Sequence, residues 1–80
     1  MKNESITAEI AAIGGYIRER RHAAEMSQRE LGELAGVGTR FVSELERGKP
    51  TVRVDALSKV LAVFGKRLGL VPLDVKEPVE

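Results

Sequence analysis

The chain has no cysteine and one histidine, His22. Disulfides and thiolate metal sites are therefore excluded, and a histidine-rich metal centre is not expected. No run approaches the roughly 18 apolar residues that a membrane span needs. Met1 to Thr7 lack the charged and apolar regions of a secretory signal, so a cytoplasmic protein is the simplest expectation. There is no internal repeat, no low-complexity tract and no glycine-rich phosphate loop. The carboxylates of Glu30, Glu44 and Glu46 fall on exposed helix faces, so few parts are left for catalysis. Neither enzymatic activity nor a cofactor is expected.

Net charge is also in short supply, at +1. Its placement is less neutral than its total. From Tyr16 to Arg67 there are eleven basic and seven acidic residues, a balance of +4, while the flanks carry a balance of −3. A basic middle between acidic ends can still steer a protein toward phosphates. With 80 residues, 42% hydrophobic and 31% charged, the chain reads as one small folded domain. Its thin core makes help from a second copy unsurprising.

Periodicity predicts four helices, with an extended segment after them. Ile6, Ile10, Ile13 and Ile17 form one stripe of a helix over about Ala8–Ala24, with Thr7 as its cap. Gly14 and Gly15 weaken that helix, so a close helix contact or a break is expected there. Ser27 and Glu30 have capping-box spacing, opening a helix that Gly36 closes. A third helix spans about Thr39–Arg47 and stops at Gly48. On a helical wheel Phe41, Val42 and Leu45 share one arc. Thr39, Arg40, Ser43, Glu44 and Arg47 lie opposite. A fourth helix covers about Val54–Phe64. Residues 67–71 read as a single edge strand. Its unpaired backbone would find a partner in the same strand of a second copy, through Leu68, Leu70 and Val71. The expected organisation is a flexible segment 1–7, a domain 8–65, a dimerisation strand within 66–75 and a disordered tail 76–80.

Two helices joined by a tight glycine turn can place the second in a DNA major groove. The same pattern also fits an ordinary helical hairpin with a solvated polar face. Specific residues favour the first reading. Ser27-Gln28-Arg29-Glu30-Leu31-Gly32-Glu33-Leu34-Ala35-Gly36-Val37, with Val42-Ser43-Glu44-Leu45-Glu46-Arg47-Gly48-Lys49-Pro50, resembles the Xre/Cro-type helix-turn-helix of phage repressors. The likeness covers roughly Ile13–Gly65. The segment Arg40–Thr51 with the strand-like tail is most similar to HipB-like antitoxins.

That resemblance implies an all-α, lambda-repressor-like bundle of four or five helices with a C-terminal strand pairing across a homodimer. It implies a dimeric repressor of a palindromic operator in double-stranded DNA. It also implies an antitoxin that holds a HipA-type serine/threonine kinase toxin and represses its own operon. Thr39, Arg40, Ser43 and Glu44 match base-facing positions: Arg40 for guanine, Glu44 for cytosine N4. Gln28, Arg47 and Lys49 match phosphate-contacting positions, and Arg53 is a further phosphate candidate. Arg21 and Glu46 match a structural salt bridge between the first and third helices. Gly32 stands where the family has alanine, which predicts a looser second helix. Gly38 replaces a hydroxyl cap. Phe41 is bulky for its position and is assigned to the core in preference to a thymine methyl. The basic run Arg18, Arg20, Arg21 and His22 reads mainly as solvated surface. A stand-alone repressor and a mainly protein-binding antitoxin are the competing readings.

Overall fold

The computed structural model describes residues 3–73. It contains four helices: α1 (Asn3–Ala23), α2 (Gln28–Ala35), α3 (Thr39–Glu46) and α4 (Val54–Val63). Helix α3 packs on both α1 and α2, and α2 also packs on α4. The centre is aliphatic: Ile17, Leu31, Val42, Leu45, Leu57, Val60 and Leu61 are all buried.

Each contact has a local cause. Ser27 Oγ accepts from the Glu30 amide at 3.0 Å, and Glu30 Oε1 accepts from the Ser27 amide at 2.7 Å. This reciprocal cap fixes where α2 begins. Gly36 closes α2 in the left-handed conformation, φ 77°, and its amide donates to the Gly32 carbonyl. Gly36, Val37 and Gly38 alone lie between α2 and α3, so a three-residue turn joins the two helices. At the end of α1 the left-handed residue is Glu25, φ 57°.

Gly14 resolves the question raised by the glycine pair. It is buried, and a Cβ there would collide with the Leu45 carbonyl oxygen. The pair therefore marks a close crossing of α1 over α3, not a break, and α1 runs through it without interruption. Gly15 faces open space. Gly32 has a packing reason of its own: a Cβ there would meet the Val37 carbonyl oxygen at 2.9 Å. The α2–α3 turn folds back over that position, so the glycine makes room for the turn and does not merely loosen the helix.

One expected bound at the ends is corrected. Helix α1 starts at Asn3, not near Ala8, so Thr7 is inside it and the segment expected to be flexible is helical from residue 3. Ile17 is buried and Ile13 packs at the core edge, while Ile6, on the same stripe, is half-exposed beyond it. The strand expected over 67–71, which needs a second copy to pair with, is not shown in the single chain, where residues 66–73 carry no regular secondary structure. A strand exists only where another backbone pairs with it, and none of the four helices can. Leu68 packs at the core edge, whereas Leu70, Val71 and Leu73 are fully exposed. Residues 74–75 of the expected strand and the tail 76–80 lie outside the described residues.

Candidate nucleic-acid interface

Helix α3 divides as its wheel predicts. Val42 and Leu45 are at most 1% exposed, and Phe41 packs against the same core, which settles its side. Thr39, Arg40 and Arg47 are exposed, with Ser43 and Glu44 partly so. The polar flank points away from the rest of the chain.

The inner edge of this surface rests on one buried ion pair. Arg21 Nε and Nη2 donate to the two carboxylate oxygens of Glu46 at 2.7 and 2.8 Å. The two side chains are only 10% and 3% exposed. Arg21 Nη1 also donates to the Met26 carbonyl at 2.8 Å, so one guanidinium ties α1, the α1–α2 loop and α3 together. Burial pushes the Glu46 carboxyl upward, but hydrogen bonds from Arg21 and Gln28 outweigh it, and the group ends below the ordinary glutamate value. The Arg21 guanidinium is held protonated by the Glu46 hydrogen bond against the opposing effect of burial.

Gln28 belongs to the same network. Its side-chain amide donates to Glu46 Oε1 at 3.1 Å. It lines a shallow cleft of about 260 Å³ with Arg18, Arg21, Ser43, Glu46 and Arg47. The structure thus gathers Gln28, Ser43 and Arg47 around one opening. It adds Arg18, expected on solvated surface. The signal was present: Arg18 precedes the inward-facing Arg21 by three residues and so shares its side of the helix. Arg18→Ala is expected to weaken binding to all DNA sequences alike and to lower the salt slope by about one unit, as read in a salt titration of duplex binding.

A second group surrounds Glu44. Its Oε2 accepts from Arg40 Nε at 3.1 Å, and its Oε1 lies 3.3 Å from Lys49 Nζ. The hydrogen bond from Arg40 is the main cause that holds this carboxyl below its ordinary value; burial opposes it, and Lys49 adds to the lowering. Arg53 stands apart from both groups. It precedes α4, donates to Asp55 at 2.8 Å, and lines a separate cleft with Gly36, Gly38, Phe41 and Lys59. Asp55 is lowered chiefly by that hydrogen bond.

Among the described residues no three His, Asp or Glu side chains gather as a metal site, and no helix is long and apolar enough to cross a membrane. The outer flank of α3 offers the hydroxyls of Thr39 and Ser43, the guanidinium of Arg40 and the Glu44 carboxylate, with the Gln28 amide of α2 beside it. That is chemistry for reading nucleic-acid edges and phosphates.

A tight α2–turn–α3 unit with an outward polar flank is the architecture of helix-turn-helix transcriptional regulators. The chain belongs to the Helix-turn-helix family of the Xre type, whose model matches residues 17–71. It is 42% identical over 55 residues to an uncharacterised HTH-type transcriptional regulator of Sinorhizobium fredii, spanning 69% of this chain and 72% of that one. It is 36% identical over 67 residues to another from Haemophilus influenzae, spanning 84% and 67%. A solved structure described as a toxin–antitoxin module from Streptococcus pneumoniae superposes with a TM-score of 0.77 at 35% identity, covering 92% of this chain and 82% of that one.

Proposed function

We propose that the chain is a sequence-specific DNA-binding repressor, acting as a homodimer on a palindromic operator, and the autoregulating antitoxin of a HipA-type kinase toxin. It is read as a cytoplasmic protein without catalytic activity. The observation that carries this reading is the outward flank of α3. Thr39, Arg40 and Ser43 are assigned to the bases there, with Glu44 beside Arg40 on the same flank. Gln28, Arg47 and Lys49 take the flanking phosphates, and Arg53 takes one at the start of α4.

The dimer is supported by the uncovered Leu70 and Val71 next to the anchored Leu68. An apolar extended segment with no backbone partner has both of its needs met by a second copy of itself. The toxin partner is supported by the toxin–antitoxin neighbour. The relatives named only as transcriptional regulators favour a second reading, a repressor without a toxin. A kinase-toxin gene adjacent to this one, and a complex of the two purified products, separates the readings.

The central test is selection of bound duplexes from a random pool, with the stoichiometry measured alongside. Two chains on a two-fold symmetric site are expected, with half-sites about 34 Å apart. Arg40→Ala is expected to cost about 1–3 kcal/mol and to relax the preference at one base pair. Failure of the parent to enrich any sequence would sink the reading.

A further inference from the structure

Glu44 poses a problem for any DNA-binding surface. It places a carboxylate on the flank that would meet a polyanion, and neither oxygen is idle. One accepts from Arg40 Nε at 3.1 Å, and the other lies 3.3 Å from Lys49 Nζ. A cytosine amino group would have to compete with two cations for it. Exposure is unequal in an informative way: Arg40 is 90% exposed and Glu44 22%. The carboxylate is the enclosed member, and the arginine is the one that reaches into solvent.

The geometry points to Glu44 as a positioning residue for specificity, not a base reader. It holds Arg40 by Nε, which leaves Nη1 and Nη2 without that carboxylate contact, and it couples that arginine to Lys49. The inference rests on the DNA-binding reading above. Its chemistry is direct. An arginine can meet guanine O6 and N7 with two donors. With Nε committed to Glu44, the terminal pair of nitrogens is the one set available, and the approach is end-on. Without Glu44, an almost fully exposed arginine has many rotamers and is drawn to any nearby phosphate. Such a cation adds sequence-independent affinity and loses base discrimination. The acidic residue therefore lowers affinity for arbitrary DNA while sharpening the choice of sequence.

The test is a random-pool duplex selection on four proteins: parent, Arg40→Ala, Glu44→Ala and the double variant, each checked for an unchanged helical spectrum. Binding to a scrambled duplex is measured in parallel. Glu44→Ala is expected to relax the guanine preference due to Arg40 by about tenfold and to bind the scrambled duplex several-fold more tightly. At that base pair the double variant should match Arg40→Ala. Glu44→Gln, which keeps an acceptor but not the charge, should fall between parent and Glu44→Ala. A parent that enriches nothing overturns the functional reading and this inference together. The inference alone falls if Glu44→Ala keeps the full guanine preference, loses preference at a different base pair, or binds the scrambled duplex more weakly than the parent. It also falls if Arg40→Ala changes no base.

Discussion

Gly14→Ala is expected to lower the melting temperature by more than about 10 °C, from a loss of about 3 kcal/mol or more. The methyl group would collide with the Leu45 carbonyl oxygen, and the Leu45 carbonyl carbon and Glu46 Cα lie close behind it. These are backbone atoms of α3, so no rotamer change relieves the overlap. Either α3 moves off α1 or one of the two helices bends. Both outcomes disturb Leu45, which is 1% exposed, and the Arg21–Glu46 pair next to it. A domain of this size has only about 5–15 kcal/mol to lose. Gly15→Ala provides the contrast. Nothing lies within 4 Å of its added Cβ, so the change should stabilise by about 1 kcal/mol through helix propensity. Thermal unfolding followed by circular dichroism reads both. If the two variants melt within a few degrees of each other, the close crossing of α1 and α3 is wrong.

Removing one side of the buried ion pair has the second large effect. Glu46→Ala leaves the Arg21 guanidinium almost without water and without its two carboxylate contacts, at a cost of about 3–5 kcal/mol. Gln28 loses its acceptor as well. Replacing both partners, as in Arg21→Met with Glu46→Leu, should cost much less, because no lone charge remains buried. Chemical denaturation of the single and double variants measures the difference; equal losses would show that the pair is not the cause.

The same carboxylate sets an acid limit. Its value in the folded protein is depressed, so its contribution to stability is fully present above the ordinary glutamate value. That contribution disappears as the pH falls through the lowered folded value. The parent should therefore lose stability on acidification in that window, and Glu46→Gln should flatten the loss. An unchanged acid dependence in Glu46→Gln would assign it to other groups.

Much of the fold was legible because its signals are local. The Ser27–Glu30 cap, the left-handed Gly36 and the spacing of Val42 and Leu45 each act within a few residues. The chain therefore declares α2, the turn, α3 and the inward side of α3 without help from the rest of the molecule. The outward side follows as its complement. Arg21 and Glu46, 25 residues apart, became legible as a pair only through resemblance to a family, since spacing cannot state a contact across helices.

What the linear order concealed was the company each side chain keeps. Arg18 resembled its solvated neighbours until α1 crossed α3 at Gly14 and turned that face toward the cleft with Gln28, Ser43 and Arg47. The linear order does not show that the two Glu44 oxygens lie between Arg40 and Lys49. The tail shows the opposite limit. Its residues suit a strand, but a strand is defined by a second backbone, and one chain does not supply it. The sequence by itself determined which segments are helical and which flank of each is apolar, because those depend on neighbours within a turn or two. The tertiary structure alone decided which charged groups share a carboxylate, where a methyl group has no room, and which cations line one opening, because those depend on distances between helices.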